Sequence, residues 1–383
     1  MTVKTAVIGL GFIGMVHIEA LKRLNGVEVV AVMGSTAEKT KRKAKELGIS
    51  KCFSDYLTLL KDPDIEAVHI CTPNHMHYEM AKKALLAGKH VICEKPLTIS
   101  IEEAEDLNKL ATSSELIHAV CFNIRYYPML QQLKEMIRQG ELGRIYAVNG
   151  SYLQDWLLFD SDYNWRVESA YSGKSRAVAD VGSHWMDLLE SVTGLGITEV
   201  MADFSTVHKT RKKPLEAAET YAAIVNSEAS RYQEVPIDTE DYANILFRMG
   251  NGVRGSFTVS QVHAGRKNRL YIEIAGTRQS ASFDSEHPNY LWIGNRDGNN
   301  QVMIKDTSLL HPEARRYADY PGGHNEGYPD TFKQLFKDIY HAMASNEYRD
   351  GISYPSFTDG LREQTLCESI NKSQHERKWI AVL

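Results

Sequence analysis

Through roughly its first third the chain alternates short, continuous apolar runs with longer stretches of helical period. Val3–Ile8, Val27–Met33, Ala67–Cys71, His90–Cys93 and Ile117–Phe122 read as strands. Phe12–Leu24, Ala37–Leu47, His75–Ala87 and Ile101–Ser113 read as helices, with Gly26, Gly48 and Gly88 standing where a left-handed residue closes a helix. The strands are apolar throughout rather than every second residue, the pattern of a parallel sheet with both faces covered. A doubly wound α/β (Rossmann) sheet is the expectation for residues 1–123.

After Tyr126 the rhythm changes. A helix over Pro128–Gln139 leads through Gly140 and Gly143 into a strand at Arg144–Tyr152, and a long loop of aromatic and polar residues follows. A helix at Ser183–Thr193 precedes short alternating strands at Tyr242–Phe247, Val253–Val259, Leu270–Ala275 and Ser280–Phe283. Asn251-Gly252 between two of them is a hairpin signal. Consecutive strands joined by tight turns predict an α+β domain with an open, mainly antiparallel sheet over 124–383. That domain is expected to bind substrate and mediate oligomerisation, with its C-terminal helix able to pack back on the first domain. Val207–Pro236 is polar and weakly patterned, and reads as a mobile insertion.

Composition narrows the function classes. At 383 residues the chain exceeds one ordinary core. Forty-four Lys and Arg against 49 Asp and Glu leave a formal charge of −5, with no basic block of the kind nucleic acid requires. No run approaches the ~20 apolar residues of a membrane span. The apolar run Thr5–Val16 after Lys4 has the flavour of a signal peptide, but Gly9, Gly11 and Gly14 interrupt it and His17 and Glu19 follow. Cys52, Cys71, Cys93, Cys121 and Cys367 form no CxxC pair, which points to reduced thiols in a cytoplasmic protein.

The glycines that interrupt the first apolar run spell GxGxxG: Gly9-Leu10-Gly11-Phe12-Ile13-Gly14. The motif follows a strand and opens a helix, the context dinucleotide binding needs. Gly9 allows a tight turn, Gly11 lets backbone N–H groups approach a pyrophosphate, and Gly14 allows close packing. The phosphates then lie at the positive helix end. The carboxylate that usually holds the adenosine ribose should follow the second strand, and Gly34-Ser35-Thr36 stands there instead. With Lys39 on the next helix, Ser35 and Thr36 suit a 2′-phosphate, so NADP is the expected cofactor and NAD the alternative. A solvated basic helix face accounts for the same lysine, and Glu38 is within reach of a ribose.

Three further stretches sit at element ends: Cys71-Thr72-Pro73-Asn74-His75-Met76-His77, Cys93-Glu94-Lys95-Pro96-Leu97 and Asp180-Val181-Gly182-Ser183-His184-Trp185-Met186-Asp187. Together with the glycines, the Gly140-Glu141-Leu142-Gly143 turn and the closing Asp359-Gly360 helix, they resemble the glucose–fructose oxidoreductase / inositol dehydrogenase / MocA family over essentially the whole chain. The resemblance implies NAD(P) held between a Rossmann domain and an open-sheet domain. It also implies sugar, cyclitol or related substrates and a homo-oligomer; an open sheet with too few helices to cover both faces points to a homodimer or homotetramer paired through the C-terminal sheet. Neither nucleic acid nor membrane is an expected partner. The missing strand-end carboxylate departs from the common pattern.

Chemistry assigns roles to these residues. Ligands of a doubly wound sheet lie beyond the carboxyl ends of its strands, where Thr72, Pro73, Asn74, Glu94 and Lys95 fall, with His77 just after. Pro96 biases Lys95 towards an extended backbone, and Lys95 beside the cofactor is able to stabilise developing alkoxide character. Asp180, His184 and Asp187, at i, i+4 and i+7, fall near one helix face. His184 is the natural base and Asp180 its orienting group or a substrate ligand; the same set has the chemistry of metal ligands, but no metal is expected. Gln154, Trp156, Trp165 and Arg166 mix aromatic faces with polar groups, and the resemblance puts Trp165 and Arg166 near the nicotinamide. Asn123 (for cofactor), Arg125, Tyr127 and His324 complete the candidates. Two other readings share the fold: a non-catalytic NAD(P)- and sugar-sensing regulator, which has no need of Lys95, Asp180 and His184, and a reductase of a dihydrodiol or tetrapyrrole.

Overall fold

The computed structural model describes residues 2–215, 232–345 and 353–383. The chain divides into two compact units, Met1–Asn123 with Pro329–Gln364, and Ile124–Tyr328 with Thr365–Leu383. The sequence pattern ends the first domain at 123. The later segment joins it because Phe332, Phe336 and Tyr340 set their rings against His17 and His69. Val120 N–H also donates to Pro355 O at 2.9 Å.

The first unit is a six-stranded parallel sheet made of β1 (Val3–Ile8), β2 (Val27–Met33), β3 (Lys51–Phe53), β4 (Ala67–Ile70), β5 (His90–Cys93) and β6 (His118–Val120). Its order is β3-β2-β1-β4-β5-β6, so the winding reverses between β1 and β4. Loops that follow those two strands open outward at that point, which is where such sheets bind ligands. Ile8, Val68, Ile70, Val91 and Leu107 lie in the core beneath. The three-residue β3 and the short helix Tyr56–Leu60 carry too little periodicity to be read from sequence.

In the second unit the strands are β7 (Ile145–Leu153), β8 (Ile197–Ser205), β9 (Thr210–Pro214), β10 (Tyr232–Pro236), β11 (Tyr242–Met249), β12 (Arg254–Ser260), β13 (Arg269–Gly276), β14 (Gln279–Asp284), β15 (Tyr290–Asn295), β16 (Gln301–Ile304) and β17 (Ile380–Ala381). Nine form one sheet in the order β16-β15-β14-β13-β7-β12-β11-β8-β17. Its β7–β12 pair is parallel and the others are antiparallel. Asn251 (φ 58°) and Gly252 (φ 80°) turn β11 into β12 with the positive φ values that the dipeptide supplies. Gly150 lets Trp185 lie against β7, since a Cβ there would sit 2.5 Å from the indole. Trp185 stacks on Phe257 at 4.4 Å and anchors the core face. The stretch read as a mobile insertion begins and ends as a ribbon instead: β9 and β10 pair antiparallel from Thr210↔Pro236 to Pro214↔Tyr232. Residues 216–231 lie outside the described residues.

Candidate active site

The glycine motif has the geometry its residues allow. Gly9 turns at φ +94°, and a Cβ on it would stand 2.3 Å from Cys71 O. At Gly14 a Cβ would meet Gly9 O at 1.8 Å, so the first turn of the helix Phe12–Lys22 lies directly on the loop. Gly11 differs: nothing lies within 4 Å of its Cβ position. An open space before the unsatisfied N–H groups of an eleven-residue helix fits a dinucleotide pyrophosphate. Beyond β2, Gly34 N–H donates to Thr40 Oγ1 at 3.0 Å, and Thr36 Oγ1 accepts Lys39 N–H at 3.3 Å as the helix cap. Ser35, Thr36, Glu38 and Lys39 are all exposed there.

Two buried imidazoles hold the turns at the ends of β4 and β5. His77 Nδ1 is 2.8 Å from Pro96 O and Nε2 is 2.9 Å from Thr72 O, so the ring sits between the Thr72-Pro73-Asn74 turn and Lys95-Pro96 and, when neutral, donates to one of the two carbonyls. Burial pushes the His77 pKa down against the pull of those two carbonyls. The Lys95–Pro96 peptide is cis, so the proline shapes this turn through its bond geometry as well as its φ. Glu94 is buried with Oε1 2.9 Å from His17 Nε2. Its Oε2 accepts Lys95 N–H at 3.2 Å. Among the described residues, His17, Glu94 and Cys121 are the set whose ligand atoms lie within 4.8 Å of one another; the His17–Glu94 bond already uses two of those atoms. Asn123 is buried and donates to Thr331 Oγ1 at 2.7 Å.

In the second unit Asp180 lies in a π-turn, Val178–Gly182, that runs into the helix Ser183–Thr193. The wide turn departs from the simple α-helical spacing of the sequence reading. Gln261 Nε2 donates to Asp180 Oδ2 at 2.9 Å, and Arg166 Nε is 3.8 Å from Oδ1. The Arg166 guanidinium covers the Trp165 ring at 4.4 Å. His184 is buried on the first turn of the helix. Asp187 does not share this role: Arg125 grips it with both Nε and Nη2. Arg125 is thereby the cation that pairs this buried carboxylate.

The aromatic-polar loop is built on buried charge. Arg211, fully buried on β9, donates to Leu157 O, Phe159 O and Asp162 O at 3.0, 2.8 and 3.0 Å, and to Asp241 Oδ1 at 2.7 Å. Arg176 binds the same Asp241 oxygen. Burial opposes ionisation of Asp241, yet the two guanidiniums hold its pKa below the usual range. Glu240 accepts Ser175 Oγ–H, Arg176 N–H and Val178 N–H at 2.8, 2.9 and 2.8 Å, which fixes the entry to the π-turn. Gln154 Oε1 accepts Trp156 Nε1–H at 2.8 Å while its Nε2 donates to Asn268. Lys305 Nζ gathers Tyr320 O, His324 O and Glu326 Oε2 at 3.0, 2.7 and 2.6 Å, and so holds the loop on which His324 is exposed. Tyr127 is in the core, its ring against Phe283.

Residues 3–122 match the family model described as oxidoreductase family, NAD-binding Rossmann fold, and residues 130–282 match the GFO/IDH/MocA C-terminal domain. The chain is 31% identical over 346 residues to levoglucosan dehydrogenase from Pseudarthrobacter phenanthrenivorans, covering 88% of this chain and 85% of that one. The chain belongs to the Gfo/Idh/MocA oxidoreductase family. A solved levoglucosan dehydrogenase in complex with NADH and levoglucosan superposes with a TM-score of 0.89 at 28% identity, covering 100% of both chains. An inositol dehydrogenase homologue from Azotobacter vinelandii with NAD+ superposes at 0.87 and 27%, covering 100% of this chain and 97% of that one.

As a member of this family the chain is an NAD(P)-dependent oxidoreductase acting on CH–OH groups. Its motif residues gather at the carboxyl ends of β1, β4 and β5 in the first unit. Asp180, Trp165 and Arg166 gather in the second, one helical turn from His184. What the Gfo/Idh/MocA motifs do not signal is the buried support: His17, His69, Arg211, Asp241 and Gln261. Each is a single polar residue whose side-chain partners lie 30 or more positions away, so no local pattern marks it.

Proposed function

We propose that the protein transfers a hydride to or from a carbon of a sugar, anhydrosugar, glycoside or cyclitol. The observation that carries this is the Asp180 carboxylate. It is held by Gln261 and faced by Arg166 one helical turn before His184, in the unit whose Gln154–Trp156 pair offers polar groups beside an aromatic face. Relatives named for levoglucosan and inositol support the carbohydrate class. A bound nicotinamide supplies the hydride acceptor. In the oxidising direction His184 takes the hydroxyl proton, Asp180 orients the imidazole or a substrate hydroxyl, and Lys95 steadies the oxygen as it gains alkoxide character. Lys95→Ala and His184→Ala are expected to lower kcat about 100-fold or more. The assay follows absorbance at 340 nm across monosaccharides, anhydrosugars, glycosides, inositols and their keto forms. Wild-type turnover in both variants would overturn these roles.

The cofactor preference we propose is NADP over NAD, by a small margin. Ser35 and Thr36 replace the carboxylate that repels a 2′-phosphate, and Lys39 is exposed beside them. An exposed ion pair contributes only ~0–1 kcal/mol, less than tenfold in affinity. Dissociation constants for both cofactors, in the wild type and in Lys39→Ala, decide the matter; equal or tighter NAD binding overturns the preference.

A further inference from the structure

A chain of buried hydrogen bonds runs beneath the Glu94-Lys95-Pro96 turn, and the reaction scheme above makes no use of it. Tyr340 Oη is 2.9 Å from His69 Nε2, His69 Nδ1 is 3.0 Å from His17 Nδ1, and His17 Nε2 is 2.9 Å from Glu94 Oε1. His17, His69, Tyr340 and Glu94 are all buried. Phe336 packs on both imidazoles, at 4.8 and 4.9 Å, which keeps water from competing for them. Such a network is costly unless every member is satisfied, so its persistence in an apolar core calls for a role.

Proton arithmetic assigns the bond that matters. The two Nδ1 atoms share one proton, so one imidazole donates and the other accepts. Burial, and then the neighbouring His17, push the His69 pKa well down, so His69 is neutral and offers a single N–H. With that proton on His69 Nδ1, His17 keeps its own proton on Nε2 and donates it to the Glu94 carboxylate, which only accepts. Glu94 then passes the constraint on: its second oxygen holds Lys95 N–H at 3.2 Å. On the other side His77 holds Pro96 O at 2.8 Å. The turn is thus held at the Lys95 N–H on one side and, one residue beyond Lys95, at the Pro96 carbonyl on the other, with a buried imidazole behind each contact.

We propose that His17, backed by His69 and Tyr340, is a positioning residue for Lys95, acting through the Glu94 carboxylate. This rests on the reading of Lys95 as the group that contacts the reacting oxygen. His17 touches neither sugar nor nicotinamide; it acts by denying the turn other arrangements, and small displacements of a reacting group cost rate steeply.

A double-mutant cycle on kcat tests it, with the sugar and cofactor found active in the 340 nm screen. His17→Gln is expected to lower kcat about 10-fold with the sugar KM within about twofold, a coupling in the range of contacting residues. In a Lys95→Ala background the same substitution should change the residual kcat by less than about twofold, since there is no ammonium left to position. Equal losses in both backgrounds mean a merely structural role and overturn the inference. Wild-type turnover in Lys95→Ala instead removes the catalytic reading on which it rests. Should His17→Gln fail to fold, Glu94→Gln, which keeps the size and changes only the acceptor, carries the same cycle. Independently of activity, proton NMR should show a downfield, slowly exchanging His17 Nε2–H that shifts in Glu94→Gln and stays in Lys95→Ala. Its absence from the wild type overturns the inference.

Discussion

His118 shows how a single side chain couples burial to solution behaviour. It sits on β6, where Nδ1 accepts Phe357 N–H at 3.3 Å, a bond that requires a neutral imidazole at that nitrogen. Burial pushes its pKa down to about 4. An unfolded histidine takes up its proton near pH 6.5, whereas the folded one stays neutral until about 4, so between those values the unfolded chain binds more protons. Stability is therefore full above pH 6.5 and falls as pH drops through the window to about 4. At 1.36 kcal/mol for each pH unit, this residue contributes about 3 kcal/mol of that loss. His69, His77 and His90 shift the same way, chiefly by burial. Denaturation midpoints measured from pH 7.5 to 4.5 should fall steadily, and His118→Asn should flatten the slope. A midpoint that rises on acidification would contradict this account.

Among elements, the loop from Gln154 to Arg166 carries four candidate ligands, Gln154, Trp156, Trp165 and Arg166, and few apolar anchors of its own, chiefly Leu157 with Val167 and Ile237. Its conformation comes from Arg211, which converts three loop carbonyls and Asp241 into one set of bonds. Removing one member of a buried charged pair costs about 3–5 kcal/mol, and Arg176 on Asp241 keeps the figure at the lower end. Arg211→Leu is expected to lower the unfolding midpoint and raise the sugar KM at least tenfold. The dissociation constant for NAD(P) should rise less than the sugar KM, because the glycine loop lies in the other unit and only Trp165 and Arg166 of this loop are cofactor candidates. Calorimetry, initial rates and cofactor titration read these three quantities. An unchanged KM in a folded variant would detach the loop from substrate binding.

For the whole molecule, the broad sheet raises the question of its outer face. One row across it reads Leu246, Ser256, Asn149, Glu273, Ser282, Trp292 and Val302 by register. Leu246 is 49% exposed and Val302 61%, with Tyr146, Tyr290 and Ile304 exposed nearby in sequence. Helices cover the opposite face, which holds Ile245, Phe257, Ile272, Phe283 and Leu291. Apolar side chains at both ends of a polar row suit a self-complementary contact, because two copies related by a twofold axis place each end on the other. Pairing of subunits through this sheet is the expected arrangement. Light scattering should give a dimer or tetramer at micromolar concentration, and Leu246→Lys with Val302→Lys should weaken it. A wild-type monomer would exclude it.

How much of this was legible in the chain follows from the range of the interactions involved. Period and punctuation are local, so five of the six parallel strands, the glycine loop and the Asn251-Gly252 hairpin could be read from residues a few positions apart, whereas the three-residue β3 and the strand order could not. The Gfo/Idh/MocA motifs likewise mark Lys95 and His184 because each motif is a short continuous stretch. Long-range choices left no such trace. Asp187 turned to Arg125 because a buried carboxylate must find a cation, and the π-turn altered the face on which it was counted. Thr210–Pro214 and Tyr232–Pro236 pair as a ribbon, and Arg211 within it bonds to Asp241 and three loop carbonyls. Pro329–Gln364 joined the first unit because its aromatic rings complete the packing around His17 and His69. In each case the deciding partner lies tens to hundreds of residues away in the chain, and only folding brings it within hydrogen-bond or van der Waals reach.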